Sequence, residues 1–179
     1  MSHLIEYRLR LCETEAKFYI SEGISGFEKL QTLGMVYLDI KAGNIHLAYF
    51  GHVMIADFNC AYDIALNKER LKPNDFRGSL GFMAPEIRIR RLISFAADIF
   101  SMGVAMLTLL IGYTLNYEND DHLNPAIFMW EIDFEKHFSL ILQVFLKACL
   151  EFDPNVRLNL DEIRRLELFS DTNRCKGAL

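Results

Sequence analysis

Apolar side chains recur every three or four positions over the first strongly patterned stretch of the chain, residues 13–33. This spacing places them on one face of an amphipathic helix. Thr14 is expected to cap the N-terminus of this helix, and Gly34 stands where a left-handed residue can end it. The apolar face consists of Ala16, Ile20, Ile24, Phe27, Leu30 and Leu33.

Two short β patterns follow, at residues 44–48 and 52–56. They are joined through Gly51, which supplies the permissive backbone that a tight hairpin needs. Over residues 57–83 the periodicity fades into a long polar segment. Connections of this length without periodicity are usually functional or mobile.

Helical periodicity returns in the second half of the chain. It predicts helices over residues 96–111, 138–150 and 160–168, and Gly112 is placed to end the first of them. An acidic loop, residues 118–121, lies between the first two. The order of elements predicts a mainly α fold with a small β-hairpin, and it does not fit a wound parallel sheet.

The most apolar run of the sequence, residues 99–115, resembles a membrane-spanning segment in its hydrophobicity. It has 17 residues, follows Asp98 and contains Ser101, Thr108 and Thr114. A spanning helix needs about 20 predominantly apolar residues. We therefore predict a buried helix at the centre of the domain and no membrane span.

Composition and charge narrow the class of protein. The chain has 179 residues, of which 51% are hydrophobic, which suits one folded domain and excludes a disordered chain. Its formal net charge of -5 argues against a nucleic-acid partner, because nucleic-acid binders present basic surfaces. The cysteines have no metal-ligand spacing and are expected to be reduced thiols of a cytoplasmic protein; they are Cys12, Cys60, Cys149 and Cys175.

Candidate chemistry flanks the predicted hairpin. Asp39, Lys41 and Asn44 lie just before it, and Asp57 lies just after it. Because the two ends of a hairpin meet, these side chains are expected to converge on one cleft. Two carboxylates, an amide and an ammonium group could together hold Mg²⁺, neutralise a phosphate and accept a proton from a hydroxyl group.

Six short motifs, in matching order and spacing over nearly the whole chain, resemble those of eukaryotic protein kinases. The first is similar to the catalytic loop of that family, the second to its metal-binding triplet, and the third to its substrate-facing loop. The motifs are Asp39-x-Lys41-x-x-Asn44, Asp57-Phe58, Gly78-Ser79-Leu80-Gly81-Phe82-Met83, Ala84-Pro85-Glu86, Asp98-Ile99-Phe100-Ser101-Met102-Gly103 and Asp153-Pro154-Asn155-Val156-Arg157.

The resemblance implies the large, mainly helical C-terminal lobe of the protein-kinase fold. Only 38 residues precede Asp39, and they contain neither a G-x-G-x-x-G loop nor a strand lysine. The N-terminal β lobe that covers ATP is therefore expected to be absent. On this interpretation residues 1–171 are a partial kinase domain and residues 172–179 a frayed tail.

The resemblance also implies roles for the residues around the cleft. Asp39 would orient the substrate hydroxyl group and take its proton, and Lys41 would steady the transferred phosphate. Asn44 and Asp57 would bind Mg²⁺ and, through it, ATP. Ser79 would position the acceptor hydroxyl group.

Four further positions have roles implied by the family. His46 stands where an apolar residue usually lies beneath adenine, and an imidazole there could stack on the base. Asp98 would brace the backbone of the catalytic loop. Glu86 and Arg157 would form a buried structural pair.

Single positions indicate a group within the family. Lys41 is typical of serine/threonine kinases, and Tyr37 together with the hairpin residues 51–53 is similar to the AGC group. Asn59, in place of the usual glycine, resembles the YANK branch of that group.

Leu38 stands where most kinases have the arginine that docks an activation-loop phosphate. Between Asn59 and Pro85 the only serine or threonine is Ser79, which already has a positional role. We therefore predict that phosphorylation does not switch this loop.

Two functions remain open at this point. The first is a truncated serine/threonine kinase that transfers the γ-phosphate of Mg·ATP to a protein substrate. The second is an inactive pseudokinase lobe that acts as a binding or scaffolding module. Absence of the small lobe would leave an apolar rim at the cleft, which predicts self-association.

Overall fold

The regular structure is mainly helical, as the apolar pattern predicts. A computed structural model describes residues 10–66, 77–90, 92–112 and 134–169 of the chain. The helices in these ranges are α1 (Glu13–Thr32), α2 (Pro85–Arg90), α3 (Phe95–Ile111), α4 (Phe134–His137), α5 (Leu140–Cys149) and α6 (Leu160–Arg165). The strands are β1 (Met35–Val36), β2 (Ile45–Leu47), β3 (Val53–Ile55) and β4 (Tyr62–Asp63), and 3₁₀ turns lie at Ala42–Asn44, Leu80–Phe82 and Glu167–Phe169.

Helix α3 is the centre of the core. Every residue from Ala97 to Leu110 is buried, and the helix contacts both α1 and α5. Gly103 allows the close approach of α5, because a Cβ atom at this position would lie 2.6 Å from the Cβ of Cys149. The described part of the most apolar run thus lies in a buried helix that ends at Ile111, and the described residues contain no helix long and apolar enough to cross a membrane.

Helix α1 begins and ends close to the predicted positions, but its N-cap differs. The cap residue is Cys12, whose backbone N–H donates to the carboxylate of Glu15 at 3.1 Å. Thr14 lies inside the first turn, so the prediction that it caps the helix is wrong. At the other end Gly34 has a φ of +72°, which confirms its predicted place after the helix.

The four strands of the described ranges form two antiparallel pairs. The predicted hairpin is β2 paired with β3, with Ile45 opposite Ile55. The second pair joins β1 to β4, with Val36 opposite Tyr62, and the sequence pattern did not predict it. Strands of two residues are too short to show an alternation, so no periodic signal exists for them.

Three other differences concern element boundaries. Helices α2 and α4 were not predicted, α5 is shorter than the predicted helix over residues 138–150, and the predicted helix over residues 160–168 divides into α6 and a 3₁₀ turn. The acidic loop at residues 118–121 and the tail at residues 172–179 lie outside the described residues.

Candidate active site

The catalytic loop is fixed to the core by one buried carboxylate. Asp98, in the first turn of α3, accepts hydrogen bonds from the backbone N–H groups of Tyr37 at 2.7 Å and Leu38 at 2.8 Å. Burial raises the pKa of Asp98 to about 7, although the two N–H groups act in the opposite direction. Leu38 has a φ of +65°, a strained conformation that these contacts hold in place.

Three of the four residues predicted around the hairpin, Asp39, Lys41 and Asn44, come together in one network with Ser79. Asp39 is 5% exposed, and its Oδ2 accepts from Nδ2 of Asn44 at 2.7 Å and pairs with Nζ of Lys41 at 2.9 Å. Its Oδ1 accepts from the hydroxyl group of Ser79 at 2.7 Å. The Ser79 hydroxyl group in turn accepts from Nζ of Lys41 at 2.7 Å. A buried carboxylate is thus surrounded by a cation, an amide and a hydroxyl group.

Asp57 lies beside this network because the hairpin returns the chain to it. The backbone N–H of Ala56 donates to the carbonyl oxygen of Asn44 at 3.0 Å, which places the next residue, Asp57, near the amide. The Asp57 side chain is exposed, and its φ is +60°. Its Oδ1 accepts from the N–H of Asn59 at 3.4 Å, which is a long contact. This second carboxylate therefore faces outward and is weakly bonded.

Tyr37 connects the buried network with the hairpin. Its ring is buried, and its hydroxyl group donates to the carbonyl oxygen of Ala56. The ring packs edge-on against Phe58 at 5.4 Å and lies 6.0 Å from the ring of Phe27 in α1. Burial raises the pKa of the Tyr37 hydroxyl group above its usual range, so it remains a donor.

His46 lies on β2, opposite Met54 of β3, and both side chains are exposed. Nε2 of His46 lies 3.1 Å from the carbonyl oxygen of Gly43, so this nitrogen carries the proton. The imidazole is held by the backbone of the catalytic loop and not by a carboxylate.

Glu86 and Arg157 form a buried bidentate pair. The guanidinium group lies 2.6 Å and 3.1 Å from the two carboxylate oxygens. Arg157 also donates to the carbonyl oxygens of Ala96 at 2.7 Å and Glu151 at 2.8 Å, and it stacks over the ring of Phe100 at 5.0 Å. The pair ties α2 to the loop before α6 and to α3, away from the Asp39 network.

Two residues just before Ser79 help to shape the site. Gly78 has a φ of +100°, and a Cβ atom there would lie 2.3 Å from the carbonyl oxygen of Leu38. Nη1 of Arg77 donates to the carbonyl oxygen of Ala61 at 3.3 Å, and its guanidinium group lies 5.4 Å from the Tyr62 ring centroid. A glycine directly before Ser79 is a sequence signal for a close backbone approach, whereas no local pattern marks Arg77.

A metal at this site would have few protein ligands. No group of three His, Cys, Asp or Glu side chains within the described ranges is arranged to hold a metal ion. Asn44 and Asp57 bring one amide oxygen and one carboxylate, both of the oxygen type that Mg²⁺ prefers. Mg²⁺ in proteins is often held by one or two carboxylates together with substrate phosphates, so these residues fit a shared ion better than a protein-only cage.

Comparison with known proteins shows the family to which the chain is similar. The model of the protein kinase domain matches residues 1–169 of the chain. The chain is 41% identical over 165 residues to the putative ribosomal protein S6 kinase alpha-1 of Caenorhabditis elegans. It is 32% identical over 165 residues to ribosomal protein S6 kinase 2 alpha of Xenopus laevis and 30% identical over 163 residues to protein kinase C-like 1 of Caenorhabditis elegans.

These alignments cover most of this chain but a small part of each relative. They span 88%, 88% and 90% of the chain, against 21%, 22% and 23% of the respective relatives. The chain therefore spans about a fifth to a quarter of the length of these relatives.

Proposed function

The chain belongs to the protein kinase domain family, and from that premise we propose that it acts as the large lobe of a serine/threonine protein kinase. The reaction would transfer the γ-phosphate of Mg·ATP to a serine or threonine hydroxyl group of a protein. The observation that carries this proposal is the network in which Asp39 binds Lys41, Asn44 and Ser79 at 2.7–2.9 Å. Residues 1–171 would form this kinase unit.

Asp39 is proposed as the acceptor of the substrate proton. Its two oxygens already accept from a hydroxyl group, an amide and an ammonium group, so the carboxylate has a defined orientation before substrate arrives. The Oγ of Ser79, which donates to Oδ1, lies where the acceptor hydroxyl group of a substrate would be guided. Lys41 would place its positive charge beside the transferred phosphate.

Asn44 and Asp57 are proposed to hold the metal and nucleotide. Because Nδ2 of Asn44 donates to Asp39, the amide oxygen points away from that carboxylate and is the atom offered to a metal. Asp57 adds an exposed carboxylate directly after Ala56, whose N–H donates to the carbonyl oxygen of Asn44. When bound, Mg²⁺ would neutralise charge on the phosphate oxygens of ATP. His46, held by Gly43, would lie under the base.

The similarity to S6 kinases supports an AGC-like assignment and serine/threonine specificity. Lys41 agrees with it, since a lysine two residues after the catalytic aspartate resembles that class. A YANK-like placement within the group rests on Asn59 alone. The described cysteines, Cys12, Cys60 and Cys149, are all free, which supports a reducing compartment such as the cytoplasm.

The exposed apolar side chains around the hairpin favour a second candidate, a catalytically silent lobe that binds another protein. Phe58 is 50% exposed and Met54 is 53% exposed, and the turn adds Tyr49 and Phe50 at 97% and 78%. Contiguous exposed apolar groups often mark an interaction surface. Self-association of the chain through this rim is part of this candidate.

Nucleotide binding distinguishes the two candidates. The unfolding temperature of the chain is measured with and without Mg·ATP, since a ligand that binds only the folded state stabilises it. The kinase proposal expects an increase that disappears in Asp57→Asn and persists in Asp161→Asn, a matched exposed aspartate on α6. An unchanged unfolding temperature in the parent chain would favour the silent lobe.

Phosphate transfer provides the second measurement. Peptides that carry serine or tyrosine as the only hydroxyl residue are incubated with the chain and γ-labelled ATP. We expect label on the serine peptide alone. Equal labelling of the tyrosine peptide would contradict the serine/threonine assignment, and labelling that survives Asp39→Asn would contradict the role of Asp39.

A further inference from the structure

The substrate-facing loop, Gly78–Met83, is held from two directions. On one side Ser79 donates to Asp39 at 2.7 Å, and the Cα of Gly78 packs against the carbonyl oxygen of Leu38. On the other side Arg77, directly before the loop, reaches the start of β4 through Ala61. The loop is therefore attached both to the catalytic loop and to a β pair.

The second attachment leads back to the catalytic loop through the strands. Arg77 lies over the ring of Tyr62, and Tyr62 pairs with Val36 of β1. Strand β1 runs directly into Tyr37, whose N–H is bound by Asp98. Both attachments of the loop therefore lead to Asp98, which binds the N–H groups of Leu38, against which Gly78 packs, and of Tyr37.

The sequence between Asn59 and Pro85 has one serine and no threonine that a phosphate-dependent attachment of the loop could use. Leu38 is buried, 5% exposed, and offers no charge. Ser79, the only serine or threonine between Asn59 and Pro85, already uses its hydroxyl group on Asp39 and Lys41. An arginine that bonds to a neighbouring carbonyl group and aromatic ring supplies the attachment without any modification.

We propose that Arg77 is a positioning residue: its contacts with Ala61 and Tyr62 hold Gly78 and Ser79 against the catalytic loop without a phosphate. A guanidinium group suits this role because it donates in a fixed plane while its face stacks on an aromatic ring. The consequence for catalysis rests on the proposed function, whereas the consequence for loop order does not.

Hydrogen exchange of the loop amides measures loop order without any catalysis. The N–H groups of Phe82 and Met83 donate to the carbonyl oxygens of Ser79 and Leu80 at 3.0 Å and 3.2 Å. In Arg77→Ala we expect these two amides to exchange roughly tenfold faster, because a charge-assisted hydrogen bond and a cation–π contact are both lost. Exchange of the α3 amides should not change.

Three further variants separate positioning from a general loss of stability. Arg77→Lys keeps the charge over the ring but loses the planar guanidinium group, so it should restore only part of the protection, and Tyr62→Leu should reproduce part of the loss. Arg164→Ala is the matched control, since Arg164 makes an exposed bidentate pair with Glu28 on the far helices. Unchanged exchange in Arg77→Ala, or equally faster exchange in α3, would overturn the proposal.

Kinetics then test the effect on catalysis. For a serine peptide, Arg77→Ala should raise KM about tenfold and lower kcat by less than about threefold, because the loop positions substrate and Asp39 is intact. An equal fall in kcat with unchanged KM would contradict a positioning role. If the parent chain transfers no phosphate, the proposed function fails, while the exchange experiment still decides the role of Arg77.

Discussion

The two carboxylates of the candidate site lie on adjacent segments and have opposite surroundings. Asp39 is buried and accepts bonds from three side chains. Asp57 is exposed, and it accepts one long hydrogen bond, from the backbone N–H of Asn59 at 3.4 Å. Side chains of the protein therefore bond to both oxygens of Asp39, whereas the exposed carboxylate of Asp57 is suited to binding a ligand.

A similar contrast separates the catalytic loop from the turn of the hairpin. Leu38 and Gly78 meet so closely that a single added carbon would collide, and Asp98 fixes the neighbouring N–H groups. At the hairpin turn, Gly51 has nothing within 4 Å of an added Cβ atom. The catalytic loop is preorganised and dense, as a proton acceptor would require, and the hairpin turn is open.

Removing the charge of Asp39 should have the largest effect. In Asp39→Asn, the rate of phosphate transfer should fall about 10³-fold, because general-base catalysis typically contributes 10²–10⁴-fold. The rate is measured under single-turnover conditions, with circular dichroism to show that the variant folds. Asp161→Asn serves as the control, and a loss of less than tenfold would argue against Asp39 as the proton acceptor.

A pair of glycine variants compares the two regions directly. Gly78→Ala should lower the free energy of unfolding by about 3 kcal/mol, because its Cβ atom would meet the Leu38 carbonyl oxygen at a φ of +100°. Gly51→Ala, at a φ of +83° in open space, should cost about 1 kcal/mol. Urea unfolding measures both, and equal losses would show that the catalytic loop is not the denser region.

Tyr37 links the two regions, and its hydroxyl group can be removed without changing the ring. Tyr37→Phe should lower the free energy of unfolding by about 1 kcal/mol, because the hydrogen bond to the Ala56 carbonyl oxygen is lost. The matched control is Tyr49→Phe, since Tyr49 is 97% exposed and should show no change. An effect of equal size in both variants would mean that the Tyr37 hydroxyl group does not link the regions.

Local sequence patterns predicted those parts of the site that the hairpin brings together or that lie within one short motif. The turn at Gly51 predicted that Asp57 would return to Asn44, and the bond from Ala56 to Asn44 does bring them together. The β1–β4 pair and the contact of Arg77 with Tyr62 were not predictable in this way. They arise from tertiary packing between short segments that have no periodicity of their own.

The smallest effect on stability is expected at Asp57, which is the other half of the comparison. Asp57→Asn should change the free energy of unfolding by no more than about 0.5 kcal/mol, because the side chain is exposed and asparagine tolerates its φ of +60°. The same substitution should abolish stabilisation by Mg·ATP, since the charge that faces the metal is gone. Asp39→Asn is expected to show the reverse order, with a loss of folding stability and retained nucleotide binding. If Asp57→Asn destabilised the chain as much as Asp39→Asn, the Asp57 carboxylate would be a structural group and not a ligand-facing one.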